Sequence, residues 1–149
     1  KLNKNLKDYF KRKYFHPVLY RNIAKKLLLF ANTSIDISDG LISDLEKMIN
    51  KQKLSYKIYL EDIPISYNLK KLIGLKVINK VSSISHGDDY QILFTATPSK
   101  SRIISNTSKS LGIKISKIGK ICSHLQHSQI IDEKGEEITL KNKGYYHRF

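Results

Sequence analysis

At 149 residues the chain is long enough for one domain with its own hydrophobic core and too short for two of full size. Its 27 Lys and Arg against 13 Asp and Glu give a formal net charge of +14. The lysines are scattered over nearly every segment and Arg is rare, so the sequence lacks the one-faced basic patch that a nucleic-acid partner requires. The lone Cys122 excludes an internal disulfide, and the stretch from Lys1 to Phe15 is polar and basic, with no apolar run for a signal peptide or membrane span. These features predict a cytoplasmic chain, cut from a longer one, with a leading segment over 1–16 and one domain over 17–149.

The first predicted helix runs from Pro17 to Phe30, with proline in its first turn and Ile23, Leu27 and Phe30 recurring at helical spacing. Thr33 to Ser38 alternates Ile35 and Ile37 with Asp36 and Ser38, the period of a strand, and so puts the two polar side chains on one face. Asp39-Gly40 breaks that pattern. Leu41, Leu45, Met48 and Ile49 then mark a helix to about Lys51, with Asp39 standing at its N-cap.

Ser55 to Leu60 reads as a strand, Tyr67 to Lys80 as short helical pieces, and Tyr90 to Thr97 as a strand stopped by Pro98. Ser99 to Leu111 forms a helix closed by Gly112, and Ile113 to Ile121 alternates imperfectly as a strand. Gln129 to Asp132 and Glu137 to Leu140 make a hairpin about Lys134-Gly135. Strands alternating with helices, ending in a hairpin, predict an α/β (α+β) fold with a mixed β-sheet flanked by helices.

Chemistry concentrates in three places. Asp36, Ser38 and Asp39 gather two carboxylates and a hydroxyl where a strand gives way to a helix N-terminus. Mg²⁺ prefers carboxylate and phosphate oxygens, and free helix N–H groups attract phosphate. By spacing alone the same residues also read as an N-cap and an exposed strand residue. Asp88 and Asp89 follow His86-Gly87 at the entry to an apolar strand. Adjacent side chains on extended backbone point to opposite faces, so one carboxylate is expected to face a site and the other to fix the loop. The tail from Gly144 to Phe149 combines three aromatics with His147 and Arg148, which suits either ring stacking or a simple hydrophobic clasp. Cys122, His124 and His127 are spaced like metal ligands, but three on one short loop with no fourth nearby are read as incidental.

Taken in order, Ile35 to Leu41 (IDISDGL), His86 to Thr95 (HGDDYQILFT) and Gly144 to Phe149 (GYYHRF) resemble three stretches of thiamine-monophosphate kinases, and the approach from Phe15-His16-Pro17 to Leu28 resembles the helix that precedes the first. The resemblance implies the C-terminal domain of the aminoimidazole ribonucleotide synthetase-like superfamily. It further implies an ATP- and Mg²⁺-dependent kinase that converts thiamine monophosphate to thiamine diphosphate. By this likeness Asp36 and Asp39 bind Mg²⁺, Ser38 contacts the nucleotide phosphate, and Asp88 and Tyr145 contact the thiamine phosphate. His86, Gln91 and Arg148 depart from the family's pattern. The resemblance also implies an N-terminal domain, supplied in cis or in trans, that carries further metal ligands and builds a homodimer. The isolated chain is therefore expected to have little or no kinase activity. Two other readings stay open: a non-catalytic binding remnant, or a related enzyme resembling aminoimidazole ribonucleotide or selenophosphate synthetase.

Overall fold

The computed structural model describes residues 3–49, 52–123 and 127–145. In chain order the elements are α1 (Lys4–Phe15), α2 (Arg21–Leu27), β1 (Thr33–Asp36), α3 (Leu41–Met48), β2 (Ser55–Tyr59), α4 (Tyr67–Gly74), α5 (Lys80–Ser83), β3 (Ile92–Thr95), α6 (Ser101–Leu111), β4 (Gly119–Cys122) and β5 (Gln129–Ile131). Single 3₁₀ turns occupy Leu60–Asp62 and Pro98–Lys100. Among the described residues, no helix is long and apolar enough to cross a membrane.

The helix α3 is the centre of the core. Ile42 and Leu45 are 0% and 1% exposed, and Leu41 and Ile49 are buried with them. Burial of five consecutive residues, Leu41 to Leu45, means that the first half of this helix faces protein all round, while Lys47 near its end is exposed. Ile37 and Leu93 reach it from one sheet, and Tyr56, Ile58 and Ile130 reach it from the other. Burying side chains of this size contributes roughly 1.5–3 kcal/mol each.

The strands divide between two sheets. β1 and β3 pair antiparallel, with Ile35 opposite Leu93 and Asp36 opposite Ile92. β2 lies between β4 and β5, antiparallel to the first and parallel to the second, and supplies the predicted mixed sheet. Gly119 is required where β4 crosses β2, because a Cβ there would lie 2.2 Å from the Lys57 carbonyl oxygen. The expected hairpin after β5 forms around the Asp132 carboxylate, which accepts the N–H groups of Lys134 and Glu136. Its second arm is reduced to a bridge between Glu137 and Ile131.

Other boundaries differ from expectation. The predicted helix over Pro17 to Phe30 contracts to α2, which leaves Pro17 in the connection, while Ile23 and Phe30 are buried as their spacing required. The Phe30 ring packs 5.3 Å from that of Phe94 on β3. The leading segment carries a helix, α1, none of whose residues is buried. The strand expected from Tyr90 shortens to β3, because Asp88 and Tyr90 adopt positive φ angles of 64° and 51° that interrupt extension. Gly112 ends α6 in the left-handed conformation that glycine accepts without penalty.

Candidate functional site

The turn from β1 to α3 is organised by a residue that the sequence reading passed over. Asp44, in the first turn of α3, is 1% exposed. Its Oδ2 accepts the backbone N–H groups of Ser38 and Asp39 at 2.9 Å and of Gly40 at 3.2 Å. Asp39 is therefore not the N-cap. Gly40 holds that position, with φ 126° and no side-chain cap, and the capping carboxylate comes from inside the helix. A negative charge in the first turn is also favoured by the helix dipole. Most of the N–H groups expected to be open to phosphate are engaged in the same way. Besides the three donors held by Asp44, the N–H of Leu41 donates to the Ile84 carbonyl at 3.1 Å and that of Ser43 to the Lys143 carbonyl at 3.0 Å.

Around this turn the three motifs meet. The consecutive carbonyls of Ile37, Ser38 and Asp39 accept the N–H groups of Tyr90, Asp88 and Tyr145 at 2.9, 2.9 and 2.8 Å. The contacts are close enough to require glycine. A Cβ on Gly87 would lie 2.0 Å from the Ser38 carbonyl oxygen, and one on Gly144 would lie 2.6 Å from that of Asp39. The tail is further tied down by Lys143, whose ammonium donates to Glu46 Oε1 at 2.7 Å. The Tyr56 hydroxyl donates to the same oxygen at 3.1 Å. Burial, with the Glu46 charge and this bond added, pushes the Tyr56 hydroxyl well above its usual pKa.

Asp36 ends β1 with an exposed side chain, and Ser38 and Asp39 are half-buried beside it. Asp39 pairs closely with the Lys47 ammonium, which also donates to Asp44 Oδ1 at 2.7 Å. Burial acts to raise the Asp44 pKa, but the Lys47 bond and the Asp39 and Ser38 N–H groups outweigh it, and the net shift is downward. Bonding to Asp39 and then to Asp44 raises that of Lys47. In the second motif the left-handed Asp88 ends the alternation that the sequence suggested, and its Oδ1 accepts the Tyr90 hydroxyl at 3.2 Å. Left-handed backbone at a non-glycine residue costs about 1–3 kcal/mol and persists where the surroundings enforce it, often at working sites. Tyr145 is 64% exposed although its backbone N–H is anchored.

Asp89 carries a second strain. Crowding by protein, then the Asp88 charge, raises its carboxyl above the ordinary 3.8, with His86 opposing. A raised folded pKa means that ionisation costs folding free energy, a cost that grows as pH rises from 3.8 through the folded value. Asp89→Asn should therefore unfold at higher urea than the parent at pH 7, with the difference closing below about pH 4. Since the residue is exposed on its outer side, screening limits the gain to under ~1 kcal/mol. Equal midpoints at pH 7 would contradict this assignment.

Among the described residues no three His, Cys, Asp or Glu side chains gather into a cluster able to hold an ion by themselves. His124 and His147 lie outside those residues, as does the tail beyond Tyr145, and His127 bonds to Glu137 at 2.9 Å. A broad open concavity between α1 and α4 shares no lining residue with the three motifs. Asp44 and Lys47 are the residues that sequence reasoning missed. The signal for the first was an acidic residue set among apolar neighbours that are buried on every side.

No protein-family model matches the chain. Among curated proteins it is 30% identical over 147 residues to the thiamine-monophosphate kinase of Buchnera aphidicola subsp. Acyrthosiphon pisum, covering 97% of this chain and 44% of that protein. It is 29% identical over 140 residues to the thiamine-monophosphate kinase of Escherichia coli, covering 94% and 42%. The fold matches the crystal structure of thiamine-monophosphate kinase from Stenotrophomonas maltophilia with a TM-score of 0.77 at 23% identity, over 92% of this chain and 42% of that one. It also matches AaThiL complexed with AMPPCP and TMP, with a TM-score of 0.74 at 20% identity, over 98% and 44%. The chain thus spans less than half the length of the relatives it matches. Over nearly all of its own length, the chain is similar to the C-terminal part of thiamine-monophosphate kinases.

Proposed function

We propose that the chain is the C-terminal part of an ATP- and Mg²⁺-dependent kinase that phosphorylates thiamine monophosphate to thiamine diphosphate in the cytoplasm. It works only with an N-terminal part, in cis or in trans, which also builds the homodimer. The observation that carries this reading is the meeting of three distant motifs on the carbonyls of Ile37, Ser38 and Asp39. Three hydrogen bonds and the close approach of two glycines, Gly87 and Gly144, bring these segments together around one acidic turn.

Asp36 and Asp39 offer the hard oxygen donors that suit Mg²⁺, an ion commonly held by one or two carboxylates together with waters and phosphate oxygens. The metal, when bound, supplies neutralisation of the phosphate charge. The Ser38 hydroxyl serves the nucleotide phosphate from the same turn. Asp88, whose N–H is held by the Ser38 carbonyl, contacts the thiamine phosphate substrate in this reading, and the Tyr145 side chain serves its heteroaromatic ring. Catalysis of phosphoryl transfer is mainly positioning and charge neutralisation, so a rigid turn that carries these groups is a sufficient contribution from this part.

The test is phosphorylation of thiamine monophosphate with ATP and Mg²⁺ by the chain alone and by the chain mixed with the N-terminal part of a relative. Turnover is expected only in the mixture and should fall about 100-fold or more in Asp36→Asn. Turnover by the chain alone, or none in a mixture shown to associate, would overturn the proposal.

A further inference from the structure

Lys47 stands one helical turn after Asp44 on α3, a spacing that brings its ammonium over the start of the helix. There it meets two carboxylates at once, Asp39 Oδ2 and Asp44 Oδ1. The three groups are unequally held. Asp44 is 1% exposed and grips three backbone N–H groups, so it cannot move without opening the turn. The Asp39 side chain is 17% exposed, whereas that of Lys47 is 46% exposed on a flexible four-carbon stem. Of the three, only the lysine can swing into solvent at little cost to the core.

We propose that Lys47 is a tethered counter-cation on the Asp39 carboxylate, so that a divalent ion and the ammonium compete for that carboxylate. The inference rests on the reading of Asp39 as a metal ligand. Two carboxylates facing one ammonium keep a single net negative charge, which stabilises the acidic turn while no metal is bound. A divalent ion that arrives alone must displace the lysine and then bear its repulsion. One that arrives with phosphate brings anionic oxygens that accept the released ammonium. Lys47 thereby favours a metal–phosphate complex over the bare ion, which makes it a specificity-determining residue of this site.

The probe is Mn²⁺, with the free ion followed by electron paramagnetic resonance as it is titrated into the 149-residue chain without nucleotide. Lys47→Gln is expected to bind Mn²⁺ about tenfold more tightly than the parent, because a repelling charge a few ångströms away is removed. Lys47→Arg should show no gain, and Asp39→Asn combined with Lys47→Gln should lose the gain. Unchanged affinity in Lys47→Gln, or a gain that survives in the double variant, overturns the proposal. If Lys47→Gln fails to fold, the parent chain gives the answer. Acylation of the Lys47 amine, read by mass spectrometry, should be several-fold faster in saturating Mn²⁺, and an unchanged rate overturns the proposal equally. The reconstituted kinase assay reads the underlying function separately, since it can fail while the Mn²⁺ titration succeeds.

Discussion

Asp44→Asn should destabilise the chain by about 3 kcal/mol or more, measured as urea unfolding at pH 7, although it is nearly isosteric and lies outside all three motifs. The parent carboxylate satisfies three N–H donors with one oxygen and an ammonium with the other. An amide has one acceptor oxygen, so either the N–H groups or Lys47 face a donor instead, within a site that is almost fully buried. The pH dependence follows from the downward shift. A depressed folded pKa contributes stability in full above the ordinary value of 3.8 and loses it as pH falls through the lower folded value. The parent should therefore weaken on acidification in that range, while Asp44→Asn should be less sensitive there. A loss below about 1 kcal/mol at pH 7 would show that the turn is held by other contacts.

Gly87→Ala should cost about 3 kcal/mol or more, because the added methyl would sit 2.0 Å from the Ser38 carbonyl oxygen and 3.1 Å from Asp39 Cα. Both obstacles are backbone and cannot rotate away. Relief requires the second motif to withdraw from the first, with loss of the bonds from Asp88 to Ser38 and from Tyr90 to Ile37. Gly74→Ala is the contrasting variant. Nothing lies within 4 Å of its added carbon at the end of α4, so it should be neutral or gain up to ~1 kcal/mol. Thermal unfolding of the two variants beside the parent checks the pair, and equal midpoints for both would contradict the close packing of the two motifs.

Much of this architecture was legible in the sequence because it depends on periodicity. The spacing of Leu41, Leu45 and Ile49 placed α3, and the alternation around Ile35 placed β1. The first motif was legible as chemistry because two carboxylates and a hydroxyl crowd into four residues. What remained hidden depends on contacts between distant segments. Nothing local in Asp88 or Tyr90 announces left-handed backbone; that conformation comes from hydrogen bonds to Ser38 and Ile37, some fifty residues earlier. Asp39 looked like an N-cap by position, but the Leu41 N–H that a cap there could take goes to the Ile84 carbonyl, and the buried Asp44 secures the turn through the N–H groups of Ser38, Asp39 and Gly40. The split into two sheets was equally out of reach, since the parallel pairing of β2 with β5 joins residues about seventy positions apart.

The three motifs form a single unit around the turn that Asp44 secures. The most direct test is amide hydrogen exchange at Asp88, Tyr90 and Tyr145, followed by nuclear magnetic resonance in the parent chain and in Asp44→Asn. Slow exchange at all three amides in the parent, lost together in the variant, is the predicted result. Rapid exchange of any of them in the parent, or loss at one motif with full protection at the other, would contradict the shared turn and remove the main support for the proposed site.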